Sequence, residues 1–361
     1  MSEETFRDSA SLAPIVWIAG DCWLQPGGPR FDAPQIWGPP AVLSVFVVNL
    51  ECSVPVGPAR SGPRALLPLD PARLRELAIA PRTICVLANN HVSDYGPDGL
   101  LATVQSVLRA KMEALGAGAT LDEARRPTIL QFPGRRVGLL AYADTRPHVG
   151  AVAATAQNPG VAPLDADMVI SDIRDLARRV DGVWLFLHWG REHLRYPEPE
   201  QRRLARHFAQ AGAKLIVGIH PHVLRGFERV GSSLVYYSLG NFNFSPVPLA
   251  DGPLLRWHRE SRQGVVLRGE LRDQEWFWEH LPYIVAPEGS PMVPENSERR
   301  ALLQKIISLS QVLDERYGTR YEAIRRRELA LRYLRRLSTM TWGERVRLPA
   351  HILRSAFQNL R

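Results

Sequence analysis

Apolar runs recur along the chain, and the longest of them end on polar side chains. IVWIAGD (15–21) and AVLSVFVVNLE (41–51) read as buried strands that finish in an acid. RTICVLANN (82–90), VWLFLHWG (183–190) and KLIVGIHPH (214–222) have the same character. Helical spacing appears in PARLRELAI (71–79), PDGLLATVQSVLRAKM (97–112), DADMVISDIRDLARRV (165–180) and PEPEQRRLARHFAQAG (197–212). TILQF-PG-RRVGLLAYAD (128–144) and LRGFERVGSSLVYYSLGNF (224–242) read as hairpins, and residues 264–286 continue the strand-like alternation. After Pro294 the pattern turns helical, with Leu302, Ile306, Leu309 and Leu313 on one face. Strands that alternate with helices, then hairpins, then a helical tail predict a layered α/β core with mixed sheets.

Composition narrows the class. The chain has 361 residues, 45% of them apolar, enough for one large domain with an appendage. The opening MSEETFRDSASLAP lacks a basic-plus-apolar leader, and no apolar run reaches the roughly 18 residues of a membrane span, so a cytoplasmic protein is expected. Cys22, Cys52 and Cys85 are odd in number and irregular in spacing, which fits small buried hydrophobes better than a disulfide framework. The net charge of +8 resides in the tail: residues 298–361 hold 15 Lys/Arg against 6 Asp/Glu. The remainder is nearly neutral, which removes the main support for nucleic-acid binding.

The strand ends carry the chemistry. Side by side they read GD (20–21), NLE (49–51), NNH (89–91), HWGRE (188–192) and HPH (220–222). Strand ends of α/β folds converge on one edge, where ligands bind. Oxygen and imidazole donors suit divalent Mn, Fe or Zn, and an extended His-x-His would turn both rings to one side. A single strand histidine is most simply a hydrogen-bonded core residue. Five coincident strand ends are not explained that way.

In the order GD…NLE…ANNHVSDYG…HWGRE…HPHV…SLGNF, the chain resembles the CapA capsule-biosynthesis family, also called the poly-γ-glutamate synthesis family, over roughly residues 14–245. That family is similar in fold to calcineurin-like metallophosphoesterases. The resemblance therefore implies a four-layer β-sandwich flanked by helices over 14–290, followed by a basic helical extension over 295–361. It casts Asp21 and His222 as ligands of one divalent ion, His188, His220 and Asn90 as ligands of a second, and Glu51 as the bridge. His91 would be a general acid, with Asp94 orienting it, and Glu192 matches a further family acid, as does Glu228. Asn89 reads as a turn-stabilising side chain, and Asn241 of SLGNF as a hydrogen-bond partner of loop backbone in the site floor.

Three positions depart from the pattern. Trp23 stands where the wider superfamily has the histidine of Asp-x-His, so the first ion would be held more weakly. Glu51 replaces the usual aspartate. Arg225 stands near a place where glutamine is common, either facing an anionic substrate or lying on the surface. His193 matches nothing and reads as exposed, while Trp184 and Trp189 read as core.

Three functions stay open on these grounds: a metal-dependent hydrolase of a phosphoester or γ-glutamyl substrate, a non-catalytic capsule-assembly protein that binds an anionic polymer, and a tailoring enzyme of a biosynthetic cluster. The partners implied are an anionic small molecule or polymer and a capsule synthase. The Arg-rich helix 321–337 either packs on the core through Leu329, Leu331, Leu334 and Leu337, or touches an anionic membrane surface or polymer.

Overall fold

The computed structural model describes residues 13–30, 44–60, 65–248, 254–255 and 257–339. The first residues, the start of the second apolar run and the side chains of Leu334 and Leu337 lie outside them.

Two sheets form the frame. The first holds β1 (Ile15–Cys22), β2 (Ser44–Leu50), β3 (Arg82–Val86), β4 (Glu113–Leu115), β13 (Asn241–Asn243), β16 (Gln263–Arg272), β17 (Glu275–Val285) and β18 (Pro291–Met292). Its order is β18-β17-β16-β1-β2-β3-β4, with β13 paired to the end of β1. The second is built from β6 (Thr128–Phe132), β7 (Arg135–Ala143), β9 (Gly182–His188), β10 (Ala213–Ile219), β11 (Phe227–Val230) and β12 (Ser233–Tyr236), in the order β11-β12-β10-β9-β7-β6. Two small pairs complete the strands: β5 (Ala117–Gly118) with β8 (Gly160–Val161), and β14 (Val247–Pro248) with β15 (Leu254–Leu255).

The sheets face each other across one apolar layer. Phe46, Val48 and Val266 of the first join Leu139, Phe186 and Val217 of the second. Trp184 of β9 meets Trp276 and Trp278 of β17 edge-to-face, with ring centroids 5.0 and 5.3 Å apart. Helices α3 (Ala166–Ala177) and α4 (Pro199–Ala211) cover the outer face of the second sheet with Val169, Ile173, Leu176, Ala205 and Phe208. Helix α1 (Gly96–Arg109) and the 3-10 helix Pro71–Leu77 pack on the first, burying Leu100, Val107, Leu74 and Leu77. The short helix α2 (Leu121–Ala124) is capped by Thr120. The result is a helix–sheet–sheet–helix sandwich: the alternating pattern predicts its α/β class and mixed sheets, and the resemblance implies its four layers.

Several short elements differ from the sequence reading, among them the segment at 71–79 and β4. The segment at 71–79 is a tight 3-10 helix; it starts on Pro71 after Asp70, whose carboxylate accepts from Ala72 N at 3.0 Å. β4 has no counterpart in the pattern because three residues carry no readable period; it is defined by its parallel pairing to β3.

The C-terminal helices are α5 (Asn296–Gln311) and α6 (Tyr317–Thr339). Leu302, Ile306 and Leu309 enter the core between the sheets, and Leu313, Tyr317 and Tyr321 join the layer outside the second sheet. The hydrophobic core therefore runs on past residue 294. Among the described side chains of α6, Tyr317, Tyr321, Glu328 and Ala330 are buried and Leu329 is half-buried, whereas Leu331 is 37% exposed. The helix is docked by aromatic rings and an ion pair, which leucine spacing does not reveal.

Candidate metal centre

Parallel strands bring the polar ends of both sheets to one edge. β1, β2 and β3 run parallel in the first sheet, and β7, β9 and β10 in the second.

Asp21 sits at an irregularity. The register of β1 slips between Ala19 and Asp21 against β2, and again between Asp21 and Cys22 against β13. Such a slip re-aims a side chain. Gly20 makes the close approach feasible: a Cβ there would stand 1.9 Å from the carbonyl oxygen of Gly240, itself at φ +78°. Asp21 is fully buried, as is Glu51, one residue past β2. Asn49 ties the two together, its Nδ2 donating to Asp21 Oδ1 at 2.9 Å and to Glu51 Oε2 at 3.2 Å.

Beyond β3 the chain turns on Asn89. Its Nδ2 donates to Leu50 O (2.9 Å) and its Oδ1 accepts from the backbone N–H groups of His91 (3.1 Å) and Val92 (2.9 Å). Asn89 is thus the turn-stabilising residue, and it sets Asn90 and His91 at the edge. From the second sheet, His188 closes β9, and His220 and His222 follow the end of β10. The HPH segment is not extended, contrary to the reading from spacing. β10 stops at Ile219, and His220 and His222 have φ of 96° and 55°. That backbone is costly for non-glycine residues. It is held in part by the His220 N–H, which donates to both oxygens of Asp21 at 3.2 and 3.3 Å.

The side chains converge. His188 Nε2 lies 2.8 Å from Asn90 Oδ1 and 3.7 Å from Glu51 Oε1. His222 lies 3.3 Å from Asp21 through Nδ1 and 3.7 Å from Glu51 through Nε2. The rings of His188 and His220 are 4.5 Å apart between centroids. Among the described residues, Glu51, His220 and His222 form one group able to hold a metal ion, and Asp21, Glu51 and His188 another, with ligand atoms within 4.8 Å of one another. Glu51 belongs to both groups, the position the resemblance gives a bridging acid. The grouping of the others differs, since Asp21 falls with His188.

This donor set fits divalent cations. Two carboxylates, three imidazoles and an amide oxygen meet in a buried space, and such oxygen–nitrogen sets suit Mn, Fe or Zn. Burial pushes the Asp21 carboxyl above its ordinary range, and the neighbouring His222 imidazole pulls it back only in part. Positive charge at this point would offset the desolvation of both acids. Trp23, at the position where the resemblance leads one to expect a further histidine, is fully buried; its Nε1 donates to Pro68 O at 2.8 Å and it packs against Phe244.

His91 stands beside this cluster, 7% exposed. Its Nδ1 is 2.8 Å from Asp94 Oδ2, which also accepts from Leu67 N at 2.7 Å. Asp94 therefore fixes the ring. Glu192 is exposed; its carboxylate lies 3.8 Å from His193, and it makes no hydrogen bond or ion pair to the six candidate ligands among the described residues.

Two residues come out differently from the sequence reading. His193 is not exposed: its ring lies 6.0 Å from that of His222 and 5.8 Å from that of Trp257, its Nδ1 is 3.3 Å from Ser261 Oγ, and its φ is 59°. Arg225 neither faces a substrate nor lies on the surface. It is 2% exposed and braces the loop after β9, donating to Leu194 O (2.7 Å), Arg191 O (2.9 Å) and Gln201 Oε1 (3.0 Å). Glu228 pairs with Arg202 at 2.6 Å, on the outer side of the second sheet. Asn241 links the floor, its Oδ1 2.7 Å from His222 Nδ1 and its Nδ2 donating to Ser261 O at 3.0 Å. Asn49 was missed by the sequence reading, although the NLE triplet held it. Trp257 carried no signal at all.

Residues 41–246 match the family model of the bacterial capsule synthesis protein PGA_cap, more than half of the chain. The chain belongs to this family. The PGA biosynthesis protein CapA of Bacillus subtilis (strain 168) is 35% identical over 179 residues, 49% of this chain and 47% of that protein. The capsule biosynthesis protein CapA of Bacillus anthracis is 32% identical over 191 residues, 51% of this chain and 46% of that protein. The PGA_cap chain thus spans about half the length of the curated relatives it matches. Among solved structures, a 5'-nucleotidase precursor from Thermus thermophilus aligns with TM-score 0.42 at 16% identity, over 82% of this chain and 59% of that one. Among the described residues no helix is long and apolar enough to cross a membrane.

Proposed function

We propose that this PGA_cap protein is a metal-dependent hydrolase of an anionic phosphoester or γ-glutamyl substrate in capsule or poly-γ-glutamate synthesis. The observation that carries the reading is the buried convergence of Asp21, Glu51, Asn90, His188, His220 and His222 beside the His91–Asp94 pair. When bound, a divalent cation supplies Lewis-acid charge for an oxyanion and for attack by water. The chain's own residues do the rest. Asn49 holds Asp21 and Glu51 in register. Asp94 keeps the His91 ring fixed through Nδ1, which leaves Nε2 as the atom to pass a proton to the leaving group. His193 and Trp257 wall the space beside His222. Glu192 is the least supported member of the catalytic set, since it is exposed and apart from the ligands.

The buried Trp23 favours a second reading, a binding protein of capsule assembly that keeps the centre but not the turnover. The two separate on hydrolysis of a generic aryl phosphate and of a γ-glutamyl anilide by metal-loaded protein. Turnover lost in His91→Ala supports the hydrolase, and none on either reporter supports the binder.

The same proposal includes a capsule synthase as partner and a contact of the basic tail with an anionic membrane or polymer. Exposed Arg326 and Arg327 support it. Co-sedimentation with anionic vesicles at low and high salt tests the contact, which is absent if Arg326→Ala/Arg327→Ala protein sediments as the wild type does.

A further inference from the structure

A groove of about 690 Å³ opens between the sheets at the end away from the metal centre. Its position follows from strand direction. Trp184 stands four residues before His188 on β9, roughly 13 Å along the strand at 3.3 Å per residue. Leu215 on β10 and Arg135 on β7 lie at the same starting ends, and Trp278 of β17 pairs through Gly269 to the start of β1.

The walls are aromatic on both sides. Trp184, Phe227 and Tyr236 come from the second sheet, and Trp276, Trp278 and His280 from β17. Phe227 stacks on Tyr236 at 5.2 Å, and Trp276 on Trp278 at 6.0 Å. Trp184 and Tyr236 form the buried floor, at 2% and 3% exposed, and the half-buried Phe227, Trp276, Trp278 and His280 supply the aromatic surface that a ring-shaped ligand can reach. The polar groups are mainly donors. Arg135, Lys214 and Arg229 line the groove against one acid, Glu275. Among the described residues none of the three cations pairs with a carboxylate; Lys214 donates to Ser232 Oγ at 3.0 Å. Arg135 Nε and Trp276 Nε1 are buried N–H donors with no partner in the protein. Elsewhere the chain's arginines are commonly paired, as Arg82 is with Glu113, Arg125 with Asp172 and Arg202 with Glu228. A pyranose offers an apolar C–H face to an indole, and its carboxylate offers acceptors to guanidinium and ammonium groups.

We propose that this groove binds an acidic oligosaccharide, a short chain of pyranose rings bearing carboxylates, at a site separate from the metal centre.

The test is a tryptophan-fluorescence titration of the full chain with oligogalacturonate, with and without chelator. Malto-oligosaccharide serves as the neutral ring control and poly-L-glutamate as an acid without rings. Saturable binding of oligogalacturonate is expected, at least about tenfold tighter than the neutral sugar, weakened by salt and unchanged by chelator. Lys214→Ala/Arg229→Ala alters two exposed side chains and should weaken it about tenfold without changing metal content. The proposal is overturned if oligogalacturonate gives no saturable change or binds no better than malto-oligosaccharide. Tighter binding of poly-L-glutamate, loss on chelation or an unaffected double variant would overturn it as well. Loss on chelation would place the ligand at the metal centre instead, so this result does not depend on the hydrolase reading.

Discussion

The two ends of the sandwich are built from the same strands and treat charge in opposite ways. At the closing ends, carboxylates and imidazoles are buried together, and burial pushes the Asp21 carboxyl upward. At the starting ends, Glu270 on β16 sits between Arg272 and Arg268, whose hydrogen bonds hold its carboxyl down at about 2. The first arrangement is unfavourable without a cation, whereas the second is an ordinary surface ion-pair network. Polar groups gathered against their own solvation are a general tendency of functional sites, and this contrast is what the proposed function rests on.

Predictions that sharpen this contrast run from large to small. His91→Ala should lower turnover by about a hundredfold or more while metal content stays near that of the wild type. Equal loss of metal and activity would make His91 a ligand. Asn49→Ala should weaken metal affinity about 10- to 100-fold, the usual scale for a residue that orients ligands, as read by competition with a chromogenic chelator. An unchanged affinity would leave Asn49 a purely structural link.

Glu328→Gln tests whether α6 supports the candidate metal centre. Glu328 accepts from Arg195 N at 2.7 Å and Arg195 Nε at 3.0 Å, in the loop that carries His193. A loss of about 1–2 kcal/mol in denaturant unfolding is expected, because Glu260 remains 3.4 Å from Arg195 and limits the damage. No change would leave Glu328 without influence on that loop. Glu270→Gln should cost less than about 1 kcal/mol, discounted for solvent screening. The hydrogen bonds from Arg272 and Arg268 hold the folded carboxyl down at about 2 against an ordinary 4.5, so its contribution is complete above pH 4.5 and fades as the pH falls. Acid unfolding of the variant should therefore be flatter between these values, and an identical acid limb would refute the assignment.

Much of the frame was legible because long strands and amphipathic helices repeat their period often enough to be read. The candidate ligands were legible for a related reason: each lies at or shortly after the end of a strand whose apolar run makes the polar residues there conspicuous. What stayed hidden depends on contacts distant in sequence. His193 reads as exposed, yet it is brought beside His222 by a left-handed turn and the N–H···O=C link from His193 to Pro221. Arg225 stays undecided between substrate and surface because burial of a guanidinium on backbone carbonyls has no sequence period. The bend of HPH escapes for want of any local signal that Asp21, 199 residues away, accepts from its backbone. Leu331 of α6 misleads in the other direction, since the helix docks through Tyr317, Tyr321 and Glu328.

Elemental analysis of protein purified without chelator, wild type beside His220→Ala, tests the central claim most directly. Roughly one to two equivalents of Mn, Fe or Zn are predicted for the wild type, falling steeply in the variant, as expected when a ligand of a folded site is removed. Less than roughly a tenth of an equivalent in the wild type, even after reconstitution, or equal metal in both proteins, would contradict a metal centre at the closing strand ends.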